Sequence, residues 1–322
     1  VNATSALAGV HNARGETRAA VDVLNERFET HGVTVPLALL KTQLLGSIGD
    51  TEGVATALEE AISAAPDDVG LRVALARFYE SRDEPERAER VLRQAIERLE
   101  APGAAMAALA RLVASNRGVD AAIAEIDQLR AERGDDNFTL AFLAADLLAQ
   151  AQRLDAAAAR LQEVADGTEM DSADNLDART GLATVARRRD DTERAREMVA
   201  AVLDAEPEHR GANYLQASLH LENGAFDEAV AAARAALGGD PEWAPGLRVL
   251  AEGHLGQGER DLTIQTLVRL LRRHPGDIAA AGTLARLLAE RGDYDQALSV
   301  WDHVIARSDD PTGALANAAE IA

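Results

Sequence analysis

A small residue returns about every 34 positions along this chain, at Ala8, Thr42, Ala76, Ala110, Ala145, Ala183, Ala217, Ala251 and Ala285. A second series runs twelve positions behind it, through Ala20, Val54, Ala88, Ala122, Ala157, Ala195, Ala229, Thr263 and Ala297. Two series in lockstep mean one supersecondary unit copied along the chain. A length of 322 residues would ordinarily suggest two domains. A repeat array stacks as one quasi-linear body instead, so a single domain is expected over residues 1–322.

The composition suits closely packed helices: 47% of the chain is hydrophobic but only 3% aromatic, so the core is built from Ala, Leu, Val and Ile. A formal net charge of -21 disfavours nucleic acid, whose affinity for proteins rests largely on neutralising phosphates, and anionic lipid surfaces for the same reason. Lys41 is the single lysine, every other basic residue being arginine. No cysteine is present, which excludes disulfides, thiolate zinc sites and Cys nucleophiles. No apolar run approaches the roughly 18 to 20 residues of a membrane span. Val1 falls inside a repeat with no initiator Met before it, so the sequence reads as a piece of a longer protein.

With the Ala pairs as a ruler, units begin near Val1, Val35, Val69, Gly103, Phe138, Leu176, Arg210, Ala244 and Ile278, and a tenth near Thr312 is cut off. Residues 166–175 read as a polar loop, the one irregularity large enough for a joint. Each unit reads as two helices. In the seventh, 213–222 carries apolar residues at helical spacing, Asn223 and Gly224 break it, and 226–237 resumes it. The turn glycine recurs as Gly15, Gly49, Gly224, Gly258 and Gly292, where a left-handed backbone is expected. Pro207, Pro241 and Pro275 punctuate the connections between units. Large residues at one equivalent site of the second helix, among them Leu58, Leu92, Ile126, Leu161, Leu267 and Trp301, are expected to fill the seam against the next unit.

The unit resembles a tetratricopeptide repeat. That family's pattern sets small residues at positions 8, 20 and 27, Gly at 15, an aromatic at 17 and Pro at 32, and NGAFDEAVAAARAALGGDP (223–241) and RGDYDQALSVWDHVI (291–305) follow it. Departures are the small or polar residue at position 4 (Asn213, Ala281) and the missing Pro of the central units. The resemblance implies an all-α fold, a right-handed α-solenoid of about nine helix-turn-helix repeats.

No constellation for catalysis emerges. His11, His220 and His254 share a packing position and form no His-x-x-x-His pair, while His209, His274 and His303 lie near helix ends and read as solvated. Gly253, Gly256 and Gly258 lack the preceding strand and the spacing of a dinucleotide fingerprint. Asp166, Glu169, Asp171, Asp174 and Asp177 lack the alternate spacing of a calcium loop. The chain is therefore expected to be no enzyme and to need no cofactor or metal.

What remains is the groove. In the family, positions 2, 5, 9, 12 and 13 of the first helix face a concave surface that holds a peptide or a partner helix. Carried over, this places Arg77, Arg111, Phe142, Asp146, Arg187, Tyr214, Ser218, Arg248 and Arg286 on that face, with Leu39, Gln43, Val73, Glu80, Thr184, Arg188 and Glu252 beside them. Arginine with an exposed aromatic suits recognition of carboxylates and planar groups. The competing expectation is that each arginine pairs with a neighbouring Glu, such as Arg77 with Glu80 or Arg286 with Glu290. The expected partner is a protein or peptide, neither nucleic acid nor membrane. The overall reading is a non-catalytic interaction scaffold that organises a multiprotein assembly. Its Ala- and Arg-rich character resembles bacterial envelope and exopolysaccharide-export scaffolds, which implies a periplasmic or outer-membrane-associated site. Two alternatives are a targeting arm of a larger enzyme and an RNA-binding helical-repeat array. The acidic charge and the Ala at positions 8 and 20 oppose the second.

If the small residues mark helix crossings, Ala229→Leu forces two helices apart and costs about 1 to 3 kcal/mol by overpacking. Glu228→Gln is nearly silent. Thermal melting of the two variants checks this, and equal shifts would contradict the register.

Overall fold

A computed structural model describes residues 2–133 and 138–305. Among them the chain forms eighteen α-helices and no strand, which establishes the all-α repeat fold. The tenth unit expected near Thr312 lies outside the described residues. Packing divides the chain into two units, Val1–Arg153 and Leu154–Ala322.

The first unit contains α1 (Asn2–Ala13), α2 (Thr17–His31), α3 (Val35–Ser47), α4 (Thr51–Ala64), α5 (Val69–Ser81), α6 (Pro85–Arg98), α7 (Gly103–Arg117), α8 (Val119–Arg133) and α9 (Thr139–Gln150). The second contains α10 (Leu154–Gly167), α11 (Ala173–Arg188), α12 (Thr192–Ala205), α13 (Arg210–Glu222), α14 (Phe226–Ala236), α15 (Ala244–Gly256), α16 (Arg260–Arg273), α17 (Ile278–Arg291) and α18 (Tyr294–Ile305). Within each unit a helix packs on its hairpin partner, as α3 does on α4 and α13 on α14, and the second helix of each hairpin packs on the first helix of the next. First helices also touch in succession, α5 on α7 and α7 on α9 in one unit, α11 on α13 and α13 on α15 in the other. No helix of the described residues is long and apolar enough to cross a membrane.

The two small-residue series sit where hairpin helices cross. Ala8 and Ala20, Ala183 and Ala195, and Ala285 and Ala297 are all fully buried. A Leu at these sites would hold the backbones apart; Ala lets them approach until backbone atoms nearly fill the gap, and the large residues one turn on complete the seam. Leu92, Ile126 and Trp301 are accordingly among the most buried large side chains. Thr42, the one polar member of its series, is half-buried because its hydroxyl donates back to the Ala38 carbonyl at 2.9 Å.

Turns show both the expected rule and its exceptions. Gly15, Gly49, Gly224, Gly258 and Gly292 have φ between 70° and 90°, and Asp83, Gln152 and Asp190 hold φ near 60° at the equivalent position without being glycine. Loop 166–175 is shorter than its polar composition suggests. Helix α10 runs through Asp166 to Gly167 and α11 starts at Ala173, with Ser172 accepting the Asn175 N–H as N-cap. The connections after α12, α14 and α16 do carry Pro207, Pro241 and Pro275, but the next helices start about three residues later, behind His209, Trp243 and Asp277. Asn213 stands at a position that usually packs a large residue. It is buried because its Nδ2 donates to the carbonyls of Pro207 and His209, at 2.9 and 3.1 Å.

Two glycines of α15 owe their identity to the neighbouring helix. A Cβ on Gly253 would lie 2.7 Å from Cγ2 of Val230, and one on Gly256 would overlap the Phe226 ring. In an open helix Gly→Ala gains about 1 kcal/mol, whereas Gly256→Ala drives a methyl into a ring and is expected to lose about 1 to 3 kcal/mol. Urea denaturation checks the sign, and Phe226→Leu in the same chain should recover most of the loss.

Candidate partner-binding face

The first helices of successive hairpins carry every residue expected on the groove, and the two units treat them differently. In the first unit Arg77 on α5 and Arg111 on α7 are exposed, and neither makes an ion pair among the described residues. The Arg77 to Glu80 pair does not form. Phe142 on α9 is half-buried, and Asp146, one turn on, is exposed and accepts from Gln150 at 2.8 Å. Val73 packs against the core with one edge open, and Leu39 on α3 is 37% exposed. Helices α5, α7 and α9, which carry Arg77, Arg111 and Phe142, touch in sequence.

In the second unit the corresponding arginines are already engaged. Arg187 on α11 reaches Glu222 on α13 at 2.6 Å. Arg248 on α15 reaches Asp277 at 2.7 Å, while the other oxygen of that buried carboxylate accepts the Ala280 N–H and caps α17. Arg286 pairs with Glu290 at 2.8 Å along its own helix, as the competing expectation has it. Tyr214 stands edge-on to Trp243, with ring centroids 5.2 Å apart, and Arg210 lies over the indole at 5.6 Å. Ser218 donates to the Tyr214 carbonyl at 3.0 Å. The Arg187 and Arg248 pairs and the Tyr214–Trp243 contact link neighbouring hairpins, whereas the Arg286 and Ser218 bonds stay within one helix.

The inter-repeat stitches escaped the sequence reading, although they leave a signal. An acid recurs at the second residue of most second helices, as Glu52, Glu86, Asp120, Asp155, Glu193, Asp227, Asp261 and Asp295. A basic or amide residue of the next repeat meets several of these: Arg153 meets Asp120, Arg189 meets Asp155, Gln257 meets Asp227 and Arg291 meets Asp261. A denser network joins α6, α7 and α8, where Arg93 bridges Glu89 and Glu125 at 2.7 and 2.9 Å and Arg117 also reaches Glu89. The hydrogen bond that Arg93 donates to Glu125 leads the causes that raise the Arg93 pKa above its ordinary value. Burial pushes Glu89 up, but its bonds to Arg93 and Arg117 carry it below the usual carboxylate range.

Two models of the tetratricopeptide repeat match this sequence, one over residues 180–242 and the other over 49–112 and 254–319. Together these spans cover more than half of the chain. The chain belongs to the tetratricopeptide-repeat family. Among solved structures it is similar to the APC/C hetero-tetramer Cut9–Hcn1, at 13% identity over 95% of this chain and 59% of that one, with a TM-score of 0.52. It is also similar to yeast Tom70, at 12% identity over 99% of this chain and 95% of that one, with a TM-score of 0.48. MamA from Desulfovibrio magneticus RS-1 gives 18% identity over 55% of this chain and 98% of that one, with a TM-score of 0.44. At such identities the first likeness speaks to the fold alone. Comparison with curated protein sequences finds no match. Tetratricopeptide repeats are generally non-catalytic interaction modules, and this chain is a protein–protein interaction scaffold of that kind.

His209 departs from the sequence expectation. It is buried, not solvated, because its Nδ1 accepts the Ala212 N–H at 3.1 Å to cap α13 while Nε2 lies 3.2 Å from Asp177 of α11. The hydrogen bond to Asp177 outweighs burial and holds the ring above its ordinary value of 6.5, with Glu206 adding to the effect. A folded pKa above the unfolded one stabilises most below about pH 6.5, and that contribution fades as pH rises through the folded value. NMR titration should therefore place His209 above 6.5 in the native chain and lower in Asp177→Asn. The melting gap between the two proteins should be wider at acidic than at alkaline pH.

Proposed function

We propose that this chain binds a segment of a partner protein on the first-helix face and so organises a multiprotein assembly, with the first unit carrying the main contact. The supporting observation is the contrast in arginine pairing: Arg77 and Arg111 are exposed and make no ion pair among the described residues, whereas Arg187, Arg248 and Arg286 are held by the chain's own carboxylates. An unpaired guanidinium beside half-open apolar groups gains most from a guest, because a carboxylate adds a charge-assisted fork while an apolar side chain covers Val73 and Phe142. An engaged arginine must first break a native pair. Tyr214 and Arg248 then act as supports between the second unit's hairpins, Ser218 stays bonded within its own helix, and Asp146 marks the acidic edge of the first unit's face.

The setting we propose, bacterial envelope or exopolysaccharide export, rests on the Ala- and Arg-rich character of the repeats. A signal peptide and lipobox in the full-length gene would support it. A fused catalytic domain would replace it with the targeting-arm reading.

The face itself is tested by selecting binding peptides from a random display library. Arg77→Ala and Arg111→Ala should each weaken selected peptides by about 2 kcal/mol or more, as hot-spot truncations do, with the melting temperature unchanged. Arg248→Ala should lower the melting temperature and leave binding nearly intact. Peptides that bind the Arg77/Arg111 double variant as well as the native chain would refute the assignment.

A further inference from the structure

Among the described residues an ion pair joins the second helices α6 and α8, and none joins α16 and α18. Between α6 and α8, Arg93 meets Glu125, 32 positions on. Between the connection after α14 and α16, Glu242 meets Arg269, 27 positions on, and Arg269 also donates to the Pro241 carbonyl. At the seam of α16 and α18 the residues at the first pair of positions are Val268 and Val300, and those at the second are Gly276 and His303. Neither bridge can form there. In their place is a cavity of about 440 Å³ walled by Val268, Leu271, Leu284, Val300 and Val304. Val268 remains 43% exposed. Pro275 fixes the backbone at one end, and the His303 ring is tethered at another by its Nδ1 hydrogen bond to the Ser299 carbonyl, 2.8 Å. Arg272 lines the same cavity, is exposed, and makes no ion pair among the described residues.

We infer that this seam is a binding site for a single-chain amphiphile with an anionic head, its apolar tail between α16 and α18 and its carboxylate on Arg272. The volume lies within the roughly 300 to 1,000 Å³ of small-molecule pockets, and the lining has their usual character, mostly apolar with few convergent polar groups. An unpaired guanidinium at the edge supplies a planar fork that matches a carboxylate bidentately. The apolar walls exclude a fully polar ligand, and the chain's net charge of -21 repels an anionic head except where a cation such as Arg272 offsets it. The site lies on second helices and is separate from the first-helix face, so a small ligand here and a partner segment there are compatible.

The probe is decanoate, titrated by calorimetry into the full chain below its micelle-forming concentration, with decanol and decylamine as controls. One saturable site is expected for decanoate, with decylamine at least tenfold weaker. Val268→Arg with Val300→Glu rebuilds the bridge of the α6–α8 seam and should abolish binding while the melting temperature holds. Arg272→Gln should weaken decanoate at least tenfold and leave decanol unchanged. Absence of saturable binding, or decanoate binding that survives the Val268/Val300 double variant, overturns the site. Equal affinity for decanoate before and after Arg272→Gln overturns the role of the anionic head.

Discussion

Close approach of two helices at paired small residues is the constraint from which the remaining structure follows. A hairpin whose helices meet at Ala183 and Ala195, both fully buried, has no room for a cushion of large side chains between its own helices. Its bulky residues must therefore point outward to the next hairpin, and the next hairpin has the same need. Hairpins are thus marginal alone and stable in stacks, which is the physical content of a repeat protein. Where the seam between hairpins is equally close, glycine replaces alanine, as Gly256 does opposite Phe226 of the preceding hairpin.

Exposed ion pairs of the kind seen here contribute little stability each, typically about 0 to 1 kcal/mol. Their weight lies elsewhere. A pair such as Arg248 with Asp277 joins a side chain of one repeat to the N-cap of the next, so it fixes the register of two hairpins that apolar contact alone would allow to slide. It also consumes a cation that would otherwise be available to a ligand. The distribution of native pairs therefore bears on which stretches of surface can recognise a carboxylate. On that ground the proposed contact is placed at Arg77 and Arg111, not at the arginines in comparable positions of the second unit.

Periodicity made the all-α repeat fold legible, because a helical hairpin that must cross closely leaves the same small residue at the same phase in each copy. The residues that pack locally were legible too: Leu92, Ile126 and Trp301 fill seams as their recurrence implies. Pairings between repeats were not. Arg248 finds Asp277 across 29 positions, and no rule confined to one helix anticipates a partner at that distance. His209 was misread for a related reason: at a helix end an imidazole suggests solvent, but here the ring lies between α11 and α13 and replaces the usual Ser or Asp as cap. The polar loop at 166–175 was overestimated because acidic and amide residues that look solvated also make good helix starts, as Asn175 does behind Ser172.

Repetition makes the exceptions informative. When one position is Arg or Glu in a bridged seam and Val in another, the difference is local, since each hairpin interacts only with its neighbours and a change at one seam is not transmitted to the rest. Losing a surface bridge costs the array little, and leaving an apolar cavity costs it more, because the lining side chains forfeit dispersion contacts. The seam of α16 and α18 has such a cavity beside Val268 and Val300, and Arg272 on its wall makes no ion pair among the described residues. Restoring an ion pair would need only two substitutions, at Val268 and Val300, so the geometry of the fold does not require the opening. An occupant that supplies the missing apolar contacts and a counter-charge for Arg272 removes both deficits at once.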